Sequence, residues 1–319
     1  MKIFRLSSLF VIFLTTGAFA QRQNTYLIKN DGRYVNNRDS ADYIRLVQEP
    51  AEGGKLFLVT EYYKDGTKKS VGSSSKVDPP RYEGAYVSYY HNGKKKQVAN
   101  FLNGQHVDSL LSYYPNGVLY TAGVYISNPT DKSSVYKIVT VNDSTGKSLV
   151  SNGTGTYIVY DGNFKNVTAR GMLKNGQYDG IWTGEDKKQH LTFKETYIDG
   201  KLISGESTDE HNETVNYTER ETLPAFKGGM TSFYKYLARS VKYPDNLVRQ
   251  RVQGVVILKF SVEKDGSITD IRVVNYVQPE MAAEAVRVLK ASPLWEPGVQ
   301  RGRKVRVAYS IPITFSLSR

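Results

Sequence analysis

The sequence predicts an α+β protein: an N-terminal β-hairpin repeat domain, then a small ββαβ domain whose three strands pack on two or three helices. Three observations lead there. Nineteen of the 24 tyrosines lie between Tyr26 and Tyr217, where their half-polar rings suit the partly exposed face of a sheet. Asn-Gly and Asp-Gly pairs punctuate the same stretch and favour the positive φ values of tight hairpin turns. Beyond Pro224 apolar residues recur at helical spacing.

Taken in order, Met1 to Ala20 reads as an export signal. Lys2 and Arg5 precede the apolar run Leu9 to Leu14, and Ala18-Phe19-Ala20 has the small-x-small pattern of a cleavage site. The mature chain is expected to begin at Gln21 and to reside in the periplasm; with the signal uncleaved it would be anchored in the inner membrane. Residues 21–205 form the tyrosine-rich repeat domain. Tyr89-Tyr90-His91-Asn92-Gly93 returns as Tyr113-Tyr114-Pro115-Asn116-Gly117 after 24 residues, and the same step separates Asn175-Gly176 from Asp199-Gly200. Such a period points to stacked hairpin units. Residues 206–224, with six acidic residues against one basic, read as a polar linker.

The last domain, 225–319, opens with Phe233, Tyr236, Leu237 and Val241 on one helix face, ending before Pro244. Val255 to Val262 alternates as a strand, Lys264-Asp265-Gly266 turns, and Ile268 to Val274 returns. Pro279 suits the first turn of a helix with Met281, Ala285, Val288 and Leu289 inward, ended by Pro293. Val305 to Thr314 is the closing strand, and Pro312 places it at a sheet edge. Trp295 is expected to anchor the core.

Composition narrows the chemistry. The chain has no cysteine, which removes disulfides, thiolate metal sites and a cysteine nucleophile. The net charge of +12 is concentrated at the end: residues 222–319 carry 16 basic and 7 acidic side chains, against 25 and 24 in residues 21–221. A basic surface attracts acidic peptides, anionic head groups or nucleic acid, and export argues against nucleic acid. Lys94-Lys95-Lys96 beside His91 reads either as a membrane-surface contact or as a solvated hairpin tip. His91, His106, His190 and His211 show no paired ligand spacing, and Gly153-Thr154-Gly155 lacks the rest of a phosphate-binding loop. No enzyme, metal or cofactor is expected.

Two resemblances rest on these residues. Residues 55–205, through their Tyr-Tyr-x-Asn-Gly turns and Lys174-Asn175-Gly176-Gln177-Tyr178-Asp179-Gly180-Ile181-Trp182, resemble the MORN-like repeats of the YwqK antitoxin family. The last 95 residues resemble the C-terminal domain of TonB, which couples inner-membrane energy to outer-membrane receptors. Tyr243-Pro244, Gln253 to Phe260, Val262 to Ile268, Glu284 to Val288, Trp295-Glu296-Pro297-Gly298 and Val305 to Phe315 carry the likeness, with Pro224-Ala225-Phe226-Lys227-Gly228-Gly229 upstream. The resemblance implies strand addition: the last strand captures the TonB box of a TonB-dependent receptor, or binds another envelope protein. The partner-binding residues it implies are Lys242, Tyr243, Arg301, Arg303, Lys304, Val305, Arg306, Val307, Ala308, Tyr309, Ser310 and Ile311. Family members that transduce energy keep an uncleaved anchor and a Pro-rich spacer, whereas the spacer position here holds repeats. The alternatives are a structural or immunity-type protein that binds through its repeat surface, and a true energy transducer.

Overall fold

The computed structural model describes residues 22–127, 134–275 and 277–317. The predicted signal lies outside these residues. The α+β expectation is overturned, because strand accounts for 53% of the protein and helix for 11%. The reason is arithmetic of length: among the described residues, hairpins follow one another with only a single 3-10 turn at Arg38–Ser40 before the first α-helix begins at Gly229, so one long sheet outweighs the helices of the last segment. Sixteen strands form that antiparallel sheet, each beside the next in chain order. Two compact units divide at Ser148 and Leu149.

The first unit contains β1 (Gln23–Ile28), β2 (Tyr43–Gln48), β3 (Phe57–Tyr63), β4 (Lys68–Ser74), β5 (Tyr82–Tyr89), β6 (Lys95–Leu102), β7 (Gln105–Tyr113), β8 (Leu119–Ser127) and β9 (Ser134–Asn142), and reaches β10 (Ser148–Ser151). Two kinds of short turn occur among its described residues. Asn103-Gly104 is a two-residue turn with both φ values positive, 54° and 78°, which Asn and Gly adopt most readily. At Tyr90 to Lys94 and Tyr114 to Val118 only Gly93 and Gly117 are positive, at 77° and 90°. The tyrosines of these longer turns tie one repeat to the next. Tyr63 Oη donates to the Tyr89 carbonyl at 3.0 Å, Tyr90 Oη to the Tyr113 carbonyl at 2.6 Å, and Tyr114 Oη to the Asn142 carbonyl at 3.0 Å. The amides of Asn92 and Asn116 donate to the carbonyls of Pro115 and Ser144, both at 2.8 Å. These bonds explain why Tyr and Asn recur together: the first spans the step and the second crosslinks adjacent turns.

Part of the apolar side of this sheet is covered by its own side chains. Here rings lie over glycines of neighbouring strands: Tyr82 and Tyr86 over Gly72, and Tyr136 over Gly123. Buried charge is also neutralised internally. Glu61, 5% exposed, accepts from Arg45 at 2.9 Å and from Lys69 at 2.6 Å. Burial alone would raise its carboxyl, but Lys69 and Arg45 prevail and hold it below the ordinary carboxylate range.

The second unit continues with β11 (Thr154–Tyr160), β12 (Val167–Lys174), β13 (Gln177–Asp186), β14 (Leu191–Ile198), β15 (Lys201–Asp209) and β16 (Thr214–Tyr217). The ring-over-glycine pairing persists, with Trp182 over Gly171, Phe193 over Gly184 and Tyr217 over Gly205. Tyr178 stacks on Trp182 at 3.8 Å, and burial pushes its hydroxyl up to about 12. Residues 206–224, expected as a linker, instead hold the end of β15, all of β16 and the short β17 (Glu221–Thr222). On β15 the exposed Glu206 alternates with the buried Gly205 and Ser207, and Glu210 and Glu213 lie in the turn that leads to β16. Charge count registered the outward side and missed the period of two.

The unit ends with α1 (Gly229–Ser240), α2 (Asp245–Arg249), β18 (Gly254–Val262), β19 (Ile268–Val273), α3 (Pro279–Lys290), β20 (Gly298–Gln300), β21 (Arg303–Val305) and β22 (Val307–Phe315). One three-stranded sheet runs β19-β18-β22, and a second runs β17-β20-β21. Helix faces bearing Phe233, Leu237, Met281, Ala285, Val288 and Leu289 share one core with Val256, Leu258, Phe260, Ile311, Ile313 and Phe315. Trp295 is 3% exposed and meets Phe226, Phe233, Phe260 and Tyr309 edge-on at 5.4–5.8 Å.

Candidate functional site

The closing strand is divided differently from the sequence expectation. Val305 belongs to β21 and pairs with Gly298, Arg306 stands between, and β22 begins at Val307. Among the described residues β22 bonds only β18 within its sheet and is therefore an outer strand. Its free side can be deduced from the register. Ile257 donates to Asn275 Oδ1 at 2.8 Å and accepts from the Val274 N–H at 3.0 Å, so its backbone faces β19. Antiparallel ladders alternate, so its partner Pro312 turns its own backbone away from β18. Ala308, Ser310 and Thr314 share that phase. The free edge thus offers donors and acceptors at Ala308, Ser310 and Thr314, and at Pro312 an acceptor alone. All four residues are exposed, while Ile311, Ile313 and Phe315 are buried.

Beside the end of this edge, Tyr234, Leu237, Ala238, Val241 and Tyr243 face Pro312 to Ser316 across an open groove of about 390 Å³. Tyr243 is fixed there: its hydroxyl donates to the Val252 carbonyl at 2.6 Å, and its ring meets Phe315 edge-on at 5.5 Å. Lys242 is exposed, and its backbone N–H donates to Glu284 Oε1 at 2.6 Å. The helical wall of the groove escaped sequence reading, although the apolar face containing Leu237 and Val241 signalled it.

Residues 239–317 match the family model of the Gram-negative bacterial TonB protein C-terminal. The TonB C-terminal family is non-enzymatic and associated with transport, and its domains interact with envelope proteins such as TonB-dependent receptors. It implies a location in the Gram-negative envelope. No curated protein matches the chain. The core of this TonB-type domain starts upstream of the matched segment, since Phe226 and Phe233 pack on Trp295.

The basic cluster ahead of β22 does not stand together on one surface. The Arg301 side chain is 6% exposed; its Nε donates to Glu195 Oε1 at 3.0 Å, and Nη1 lies 3.4 Å from Asp186 Oδ2. Its guanidinium carbon stacks 3.7 Å above the Phe193 ring. Arg303 donates to Asp209 Oδ2 at 2.8 Å and to the Glu213 carbonyl. Arg306 pairs with Glu263 at 2.7 Å and with Asp270. Lys304 is exposed. Val307, Tyr309 and Ile311 turn toward β18 and the core, in register with Val262, Phe260 and Leu258. The exposed edge is therefore carried by Ala308, Ser310, Pro312 and Thr314.

Proposed function

We propose that this TonB-like envelope protein binds an extended peptide of a TonB-dependent receptor or another envelope partner by strand addition to β22, in support of transport across the outer membrane. The observation that carries the reading is the outward phase of Ala308, Ser310 and Thr314 on an outer strand, beside a groove lined in part by Leu237, Val241 and Tyr243. An added strand satisfies those backbone groups, and a side chain beyond them enters the groove formed with Leu237, Val241 and Tyr243. Lys242 and Lys304 supply charge for an acidic ligand. We further propose export by a cleavable signal ending at Ala20, and a repeat region similar to MORN-like repeats that serves as a structural support.

Titration with peptides from the organism's own receptors, followed by amide NMR, tests the binding reading. The largest shifts are expected at Ala308, Ser310 and Thr314. Ser310→Pro removes an outward donor and should abolish binding, whereas Val307, whose backbone faces β18, should shift little. Unmoved β22 amides at millimolar peptide would sink the proposal.

A further inference from the structure

We infer that the β20–β21 hairpin is a clamp that makes strands β13 to β16 and the TonB-type domain one mechanical body, so that a pull on β22 is borne by the repeat strands. The coupling itself does not depend on the identity of any ligand.

The clamp is built from the hairpin tip. Arg301 and Gly302 both have positive φ, 47° and 76°, the pair required by a two-residue turn between β20 and β21. Arg301 is the costly member, since a side chain disfavours that conformation. Its placement explains the choice: the turn aims the guanidinium at Glu195, which is 2% exposed on β14 and also accepts from Tyr197 at 2.9 Å and Tyr217 at 2.8 Å. Burial and the Glu195 carboxylate both push the hydroxyls of Tyr197 and Tyr217 upward, which keeps them as donors. The backbone is engaged as well. Ser207 Oγ donates to the Arg301 carbonyl at 2.8 Å, and the Arg301 N–H donates to the Arg220 carbonyl at 2.8 Å. A Cβ on Gly302 would lie 2.7 Å from Val215, so β16 closes directly on the turn.

Each side needs the other. Without the hairpin, Glu195 would keep a buried negative charge with only the half-exposed Arg220, 4.0 Å away, as a cation; without β13 and β14, Arg301 would hold a strained turn and lose both Asp186 and Glu195. Only Arg306 separates β21 from β22, so clamp and candidate binding edge lie on nearly continuous chain.

Arg220, half-exposed between β16 and β17, provides a trypsin site that reports on the clamp in the full chain. Cleavage after Arg220 should be slow, and the two pieces should co-elute afterwards. Arg301→Ala should speed the cut roughly tenfold or more, as expected for losing a charged hydrogen bond, and let the pieces separate. Arg301→Lys, which keeps the charge but not the fork, should fall between. In the unaltered protein, ¹⁵N relaxation should give β13–β16 and β18–β22 one rotational correlation time, a readout that needs no variant. Faster independent tumbling of β18–β22, or wild-type pieces that part on cleavage, overturns the clamp. Loss of peptide binding with the clamp intact would count only against the strand-addition reading.

Discussion

His106 shows how a single residue reports its surroundings. Its ring lies between Phe101, at 4.3 Å, and Tyr125, stacked at 5.6 Å, and its Nδ1 is buried with no hydrogen-bond partner. Burial lowers its pKa, so the native state favours the neutral ring. The sign follows: stability is intact above the unfolded-state value, about 6.5, and is lost as pH falls through the lower folded-state value. Stability of the first unit in urea should therefore weaken as pH falls below about 6.5, and His106→Phe should flatten that slope. Gly171 makes a different residue-scale prediction. A methyl group there overlaps the Trp182 indole, so Gly171→Ala should cost about 1–3 kcal/mol in chemical denaturation, as overpacking does. That His106 belongs to the hairpin region was legible in the sequence. Its place in a ring stack was not, because that depends on which strands become neighbours.

At the scale of elements, the turns and strands of the last segment were readable because their signals are local. Lys264-Asp265-Gly266 closes β18 on β19, Pro279 opens α3, and Pro312 sits on an outer strand as its missing N–H requires. What local signals could not supply was the partner of each edge. Pro312 now yields a prediction: Pro312→Ala adds an outward donor and should tighten a peptide strand that crosses this position about fivefold, one net hydrogen bond, by calorimetry. An unchanged affinity would mean that the ligand leaves the edge before residue 312 and enters the groove.

For the molecule as a whole, the summed charge was visible in the sequence, but its availability was not. Arg301 and Arg303 are occupied by Glu195, Asp186 and Asp209, residues more than ninety positions away. The steering charges to remove are accordingly Lys242 and Lys304. Replacing both with Ser should slow association with an acidic peptide and reduce its salt dependence while leaving thermal stability unchanged, measured by stopped flow at two ionic strengths. A thermal loss in that variant would indicate that one of these lysines holds the fold instead.

Period, turn chemistry and helix faces by themselves determined that this protein is a run of hairpins ending in a segment of mixed strands and helices, because those properties depend on neighbours within a few residues; the likeness of that segment to the TonB C-terminal rests on its motifs. Only the tertiary structure decided that 206–217 continues the sheet, that β21 and β22 belong to different sheets, and that Arg301 and Arg303 point inward while Lys304 and Arg306 stay exposed. The physical reason is shared. A buried charge survives only where distant chain segments bring it a partner, and sequence distance carries no record of that meeting.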